Sequence, residues 1–199
     1  MKRLTIRLFG CTIIPLTLAG CFNEPEPAYK SVLAENRIYM KEKGLGDLRA
    51  VQLNPAADYL NLDRNALTNI DAVAGMKALK WLRLNDNRLA ALPDLKALAK
   101  LRRIYLRNNQ FAVVPETLKD LPELTDIDLS GNPIKEVPQW LAQKQGLKNL
   151  SFTRTQVTRL PEDLSAWGTL QSLQLGDLRL TPDEMSRIRK ALPAVRIVY

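Results

Sequence analysis

The clearest pattern in this chain is Leu79-Lys80-Trp81-Leu82-Arg83-Leu84-Asn85-Asp86-Asn87-Arg88-Leu89. It reads as L-x-x-L/I-x-L-x-x-N-x-apolar, where x is any residue. Copies of this pattern begin at residues 57, 79, 101, 124, 147, 170 and 192, the last of them partial, in steps of 22 or 23 residues. A period of this length indicates a solenoid, because one such unit can bury its apolar face only against its neighbours.

Each copy predicts one short strand, since its apolar residues alternate and then give way to a polar turn. A column of asparagines closes four of the copies: Asn65, Asn87, Asn109 and Asn132. We expect these residues to form a ladder whose side-chain amides satisfy backbone groups of the turns. Thr155 and Leu178 take the same position in the last two full copies. The ladder is therefore expected to fail there, and the geometry of those turns is left open.

The segments between the strands carry a second recurring feature, an apolar residue followed by proline. It occurs at Leu92-Pro93, Val114-Pro115, Val137-Pro138 and Leu160-Pro161. With the registered strands, it makes the chain resemble the leucine-rich-repeat family in its short L-P-x-x-L bacterial form. The resemblance covers about residues 57–199. It implies an α/β solenoid with a curved parallel sheet, whose concave face usually meets a protein partner. It also implies a binding module rather than an enzyme, with no cofactor or metal.

Six full repeats are assigned to residues 57–180, with a cap at each end. Residues 29–56 are expected to form a helical N-terminal cap, with one helix over residues 31–43 and a second short helix over residues 47–53. Residues 181–199 are expected to form a C-terminal cap. There Thr181-Pro182-Asp183-Glu184 has the form of a capping box with proline at the first helical position. A helix followed by a strand over residues 195–199 is expected to close this end.

The first 21 residues have the features of a targeting segment. Three basic residues precede an apolar run over residues 8–19, which is shorter than the roughly 20 residues that span a bilayer. The run ends at Leu18-Ala19-Gly20-Cys21, which resembles the lipobox of bacterial lipoproteins. That resemblance implies removal of residues 1–20 and lipidation of Cys21. The alternative is ordinary signal-peptidase cleavage beside Gly20, with the cysteine incidental.

The residues that follow the cysteine bear on where the protein is held. Phe22 stands where an aspartate marks inner-membrane retention in similar enterobacterial lipoproteins, so the outer membrane is the expected location. Residues 21–28 include the alternating run Glu24-Pro25-Glu26-Pro27 and are expected to form an extended tether.

Composition argues against catalysis in the body of the protein. Histidine is absent, and the two cysteines, Cys11 and Cys21, both precede the repeats. Disulfide frameworks, Cys/His zinc sites and Ser-His or Cys-His catalysis therefore lack their residues. The formal net charge is +8, and loss of the three basic residues in 1–20 leaves +5. This charge is compatible with an anionic partner, but it does not by itself indicate nucleic-acid binding.

The x positions that flank the strand leucines supply the candidate binding surface. Six aromatic or basic residues share these positions in the first three copies: Tyr59, Trp81, Arg83, Arg103, Tyr105 and Arg107. Tyrosine, tryptophan and arginine dominate binding hot spots, so this surface favours a protein partner. The protein itself is expected to be a monomer. The alternative is that these residues have no binding role. Strands favour aromatic residues in any case, and arginine stacked on an aromatic ring forms a solvent-exposed cation–π surface.

The remaining alternatives concern other partners and other chemistry. An anionic envelope polymer or nucleic acid could meet the same arginines, although Asp126 and Asp128 on the next strand interrupt a continuous track for phosphates. These two acids alone do not suggest an active site. Trp167 falls in an apolar column and is expected in the core, whereas Trp140 is left unassigned.

Overall fold

A computed structural model describes residues 36–199, and within them eight short strands form one parallel sheet. The strands are β1 (Arg37–Tyr39), β2 (Tyr59–Asn61), β3 (Trp81–Arg83), β4 (Arg103–Tyr105), β5 (Asp126–Asp128), β6 (Asn149–Ser151), β7 (Ser172–Gln174) and β8 (Arg196–Val198). Each strand pairs only with the strands that precede and follow it in sequence. This order confirms the predicted solenoid.

The segments between the strands contain few helices. Two α-helices are present in the described residues, α1 (Gln139–Ala142) and α2 (Pro182–Ala191). Three short 3₁₀ helices cover Asp71–Val73, Glu116–Leu118 and Ser165–Thr169. The connections are therefore mostly turns, which a step of 22 or 23 residues makes necessary.

The strands contribute two leucine columns to the core. The middle residue of a strand is buried, as at Leu60, Leu82 and Ile104, and so is the residue two positions later, as at Leu62 and Leu84. A fully buried leucine contributes roughly 1.5–3 kcal/mol. The first and third residues of each strand point the other way, because side chains alternate along a strand. We call the surface that they form the open sheet face.

The asparagine ladder is present as predicted. Each rung accepts a backbone N–H from the preceding repeat; for example, Leu67 donates to Asn87 Oδ1 at 3.1 Å and Leu89 donates to Asn109 Oδ1 at 3.0 Å. Each side-chain amide also donates to carbonyls of its own and the preceding repeat, as Asn132 does to Leu129 and Leu106. The ladder therefore joins neighbouring turns through groups that would otherwise be buried without partners.

The turns themselves stack in a second column, whose members have φ between 53° and 67°. They are Glu42, Arg64, Asp86, Asn108, Gly131, Arg154 and Asp177. Their amides continue the sheet hydrogen bonding, as Arg154 N does to Gly176 O at 2.9 Å. The left-handed geometry persists beside Thr155 and Leu178, which answers the question left open by the sequence. The ladder nevertheless ends there, because the Thr155 hydroxyl is buried and has no hydrogen-bond partner among the described residues.

The helical N-terminal cap is the main error of the sequence-based prediction. Residues 36–56 contain β1 and turns but no helix, and the earlier part of the predicted cap lies outside the described residues. Ile38 pairs in register with Leu60, and both Ile38 and Met40 are buried. This segment is a further repeat, in which Lys43 stands at the asparagine position and Leu45 in the next apolar column. Tertiary pairing overrides the weak helical pattern, because it buries these side chains against the next copy.

The C-terminal cap matches the prediction. Thr181 Oγ1 accepts the N–H of Glu184 at 3.2 Å, and Ile188 and Leu192 of the cap are buried against the core. The Glu184 carboxylate does not complete a reciprocal capping box. It accepts the N–H of Leu160 and pairs with Arg187, so it joins α2 to the repeat that begins at residue 147.

The two remaining tryptophans differ in their surroundings. Trp167 is completely buried, and its Nε1 donates to Leu141 O at 2.9 Å, which confirms its predicted place in the core. Trp140 packs against the core while partly exposed, and its Nε1 is buried without a partner among the described residues.

Candidate functional site

Strand register places five of the six candidate residues in two rows. Tyr59 pairs with Trp81, and Trp81 pairs with Arg103, so the three occupy one row across β2, β3 and β4. Arg83 and Tyr105 form a second row beside it. Neighbouring strands lie about 4.8 Å apart, so side chains in one row are in contact.

The first row forms a continuous stack of rings and guanidinium groups. The ring centroids of Tyr59 and Trp81 are 5.9 Å apart, and the Arg103 guanidinium lies 4.2 Å from the Trp81 centroid. On the other side, Arg37 continues the first row and lies 4.7 Å from the Tyr59 ring. Tyr39 lies in the second row, and its ring centroid is 5.1 Å from that of Tyr59. We call these five residues the ring–cation stack. Each cation–π contact contributes about 0.5–1 kcal/mol at exposed sites, so the side chains hold one another in place.

Sequence reasoning missed Arg37 and Tyr39 because their segment was assigned to a helix. The apolar residues Ile38, Met40 and Leu45 continue the repeat spacing and were the available signal. Tyr39 is 52% exposed, whereas Tyr59 is only 8% exposed. Tyr59 is therefore a support beneath its neighbours, and the accessible rings of the stack are Tyr39 and Trp81.

The second row is fixed by a charge pair. Arg83 Nε donates to Asp63 Oδ2 at 2.7 Å, and the Arg83 guanidinium lies 5.4 Å from the Tyr105 ring. Burial is the largest single effect on the pKa of Arg83 and lowers it, but the hydrogen bond to Asp63, the charge of Asp63 and the nearby tyrosines together outweigh burial, so the pKa is raised. Burial also raises the pKa of Tyr105, and the nearby Asp126 charge raises it further. Tyr105 therefore stays a neutral phenol, able to donate a hydrogen bond.

Arg107 lies apart from both rows, at the end of β4. With Lys41, Arg64 and Arg83 it lines a polar depression of about 350 Å³, in which Asp63 and Asp86 are the carboxylates. The depression adjoins the rows through Arg83. The six candidates thus fall on one face, but they form two rows and a depression rather than a single cluster.

The candidate surface ends at the next strands, β5 and β6. Asp126 lies 3.6 Å from Arg103 Nε and accepts a hydrogen bond from Asn149 at 2.6 Å, and Asp128 accepts one from the amide of Ser130. Farther on, the Ser151 hydroxyl is buried and bonded to Ser130 and Gln174. The polar half of the open sheet face, formed by β5–β7, therefore satisfies its side chains largely through hydrogen bonds within the protein.

Across residues 36–199, no group of three or more His, Cys, Asp or Glu side chains is arranged to hold a metal ion. The described segment also contains no helix with the length and apolarity needed to cross a membrane.

The comparisons with known proteins agree with the repeat architecture. The family model for "Leucine-rich repeat and WD repeat-containing protein 1, LRR" matches residues 32–157, which is more than half of the chain. The chain belongs to this leucine-rich-repeat family. The match begins before β1, which agrees with the additional repeat found there. No curated protein shows a significant match.

Two solved leucine-rich-repeat structures resemble the fold. The Leptospira interrogans LRR protein LIC12759 has a TM-score of 0.67 and 24% identity over 82% of this chain and 48% of that one. The internalin InlF of Listeria monocytogenes has a TM-score of 0.59 and 22% identity over 76% of this chain and 46% of that one. The alignments thus span about half the length of these proteins, and at such identity they show the fold alone.

Leucine-rich-repeat domains commonly serve as protein-interaction modules, and their stacked strands provide extended binding surfaces. In this chain the open sheet face of β1–β4 concentrates the residue types typical of such surfaces.

Proposed function

We propose that this protein holds a protein partner against the open sheet face of β1–β4. The proposed contact residues on the two rows and at the depression are Arg37, Tyr39, Trp81, Arg83, Arg103, Tyr105 and Arg107, and Tyr59 supports them from beneath. Family membership supports the class of function, since leucine-rich-repeat domains are typically binding scaffolds rather than enzymes.

The ring–cation stack is the observation that carries the proposal. Trp81 lies between the Tyr59 ring and the Arg103 guanidinium, and Arg103 in turn is held by Asp126. Binding normally immobilises such long side chains at a cost of about 0.5–1.5 kcal/mol each. Here the contacts within the stack already restrict them. A partner can therefore bury large aromatic and guanidinium surfaces with a smaller entropic loss, as is typical of hot spots.

The proposal includes a lipid anchor at Cys21. The motif Leu18-Ala19-Gly20-Cys21 supports lipidation, and Phe22 supports an outer-membrane location. Residues 21–28 would then tether the repeats to the membrane, at about 3.1 Å per residue if extended. The binding surface would thus act beside a bacterial membrane, on a partner of the same compartment.

Affinity capture from detergent-solubilised membranes of the native bacterium tests the binding surface. The bait is the purified repeat domain, and the Trp81→Ala and Arg103→Ala variants are compared with it. Each truncation is expected to weaken binding by about 2 kcal/mol or more, because Trp81 is an accessible ring of the stack and the Arg103 guanidinium packs on that ring. The affinity for the captured protein is then measured by calorimetry.

Gln174→Ala is the matched control, because Gln174 occupies the third position of β7 on the same face and is exposed. Ser151 is unsuitable, since it is buried. Equal capture by wild type, Trp81→Ala and Arg103→Ala, with loss in Gln174→Ala, would place the site on the polar half instead. A large fall in the melting temperature of Trp81→Ala would show that the tryptophan is structural.

A further inference from the structure

In the polar depression beside β1–β4, the carboxylates are paired within the protein, whereas several cationic donors are not. Its two carboxylates are already paired within the protein. Asp63 accepts Arg83 Nε through Oδ2 and the amide of Asn85 through Oδ1, at 2.7 and 2.8 Å. Asp86 accepts Asn108 Nδ2 at 2.6 Å and lies 3.8 Å from Arg64 Nε. Both carboxylates of the depression are therefore occupied.

The donors, in contrast, are in surplus. The Arg107 side chain makes no ion pair or hydrogen bond within residues 36–199. Arg83 uses Nε alone, so its two terminal nitrogens have no hydrogen-bond partner in the described part of the chain. Lys41 has only the solvent-exposed Glu42, at 3.7 Å. Even with Glu42 included, four cations face three carboxylates.

We propose that the depression binds a carboxylate from an acidic segment of the protein partner. This inference rests on the proposed function and specifies the chemistry of the partner at that site. The planar Arg83 and Arg107 groups suit a carboxylate, which accepts paired N–H donors. Because Arg83 also contacts the Tyr105 ring, a segment docked here lies next to the aromatic rows. An acidic segment with an aromatic or aliphatic neighbour would contact both features together.

Charge along the face favours a short acidic segment over a polymer of phosphates. A polyanion gains affinity from a row of successive cations. Here the cations of β1–β4 give way to Asp126 and Asp128 on β5, and Asp63 and Asp86 lie within the depression itself. The excess of donors is local, as one or two carboxylates require.

Fluorescence anisotropy with labelled probes tests the proposal at low ionic strength, where such contacts are least screened. The acidic probe is a heptapeptide with three glutamates on each side of a phenylalanine. Two probes are compared with it. One is the same peptide with glutamine in place of each glutamate, and the other is a thymidine heptanucleotide, whose six phosphates match the six glutamates in number. The purified full repeat domain is expected to bind the acidic peptide more tightly than either of the others.

Arg107→Gln removes an unpaired cation without removing any contact that stabilises the fold. It should weaken binding of the acidic peptide by about tenfold, as the loss of one charge-assisted contact implies. Arg196→Gln is the control, because Arg196 is an exposed cation on the same face in β8, away from the depression. It should leave the affinity within about twofold of wild type.

Three results would overturn the inference: equal binding of the glutamine peptide, no loss of affinity in Arg107→Gln, or tighter binding of the oligonucleotide than of the acidic peptide. The last would show that the depression binds nucleic acid.

Other outcomes distinguish failure of the proposed function from failure of this inference. If Trp81→Ala loses the captured protein while Arg107→Gln retains it, the open sheet face is the binding surface and the carboxylate site is wrong. If Arg107→Gln alone loses the acidic peptide and Trp81→Ala retains every captured protein, the carboxylate site stands and the ring–cation stack is not the contact surface.

Discussion

Replacement of Asn109 by alanine is expected to destabilise the solenoid through one orphaned backbone group. Asn109 Oδ1 accepts the buried N–H of Leu89 at 3.0 Å. Its Nδ2 donates to the carbonyls of Leu84 and Leu106 at 2.9 and 3.0 Å. Those two carbonyls also accept the amides of the adjacent rungs, Asn87 and Asn132. The replacement therefore removes the partner of Leu89 but leaves each carbonyl with another donor.

The magnitude follows from these contacts. An orphaned buried N–H costs about 1–3 kcal/mol, and weakening each shared carbonyl contact costs about 0.5 kcal/mol more. Asn109→Ala should thus lower the free energy of unfolding by about 3 kcal/mol. Urea denaturation followed by far-ultraviolet circular dichroism measures this change as a lower midpoint with an unchanged slope.

Thr155→Val provides the matched control at the same register position. The Thr155 hydroxyl is buried without a hydrogen-bond partner among the described residues, so its replacement by a methyl group of similar size breaks no bond. We expect a change within about 0.5 kcal/mol of wild type, or a slight stabilisation. If Asn109→Ala costs no more than Thr155→Val, the ladder does not stabilise the solenoid through hydrogen bonds.

Three further changes test the turns, the C-terminal cap and the anchor. Gly131→Ala should cost about 1–3 kcal/mol in urea denaturation, because Gly131 has φ +67° and a Cβ there would lie 2.1 Å from Asn108 Oδ1. Glu184→Gln should lower the melting temperature at neutral pH, because hydrogen bonding from Arg187 lowers the pKa of Glu184. This deficit should shrink as the pH falls through that lowered pKa, where wild type loses the same charge. Cys21→Ser should leave an unprocessed precursor or release soluble protein, as seen by membrane fractionation.

Each of these three predictions has either a control variant or an outcome that would contradict it. Gly176→Ala is the control for the turn, since the nearest atom to its Cβ is 3.4 Å away and its φ is not positive; it should be nearly silent. A constant deficit for Glu184→Gln from neutral to acidic pH would show that the carboxylate charge contributes nothing. Wild-type fractionation and migration of Cys21→Ser would show that the protein is not lipidated.

The repeat architecture could be read from the sequence because its signal is local and repeated. Leucines at fixed spacing identify the buried columns, and Asn65, Asn87, Asn109 and Asn132 mark four turns at the same phase. Parallel stacking then assigns neighbours without further information, since each copy can pair only with the next. The rows that place Tyr59 beside Trp81 and Trp81 beside Arg103 were predictable for this reason.

The first repeat of the described residues was less predictable than the others, because the sequence pattern weakens there. At β1, Lys43 replaces the asparagine, and the apolar spacing was compatible with a helix. Pairing of Ile38 with Leu60 decides in favour of a strand. Arg37 and Tyr39 joined the open sheet face only through this long-range contact.

What each exposed side chain can do was also decided by tertiary structure. The sequence determined that Tyr59, Arg83 and Arg107 share one face, but not that Tyr59 is covered by its neighbours. Nor did it show that Asp63, from the previous repeat, occupies one edge of Arg83 while Arg107 keeps no partner in the described chain. Periodicity fixes the direction in which a side chain leaves the sheet. Its burial and its partners depend on residues about one repeat away in sequence, which only the stacked structure brings into contact.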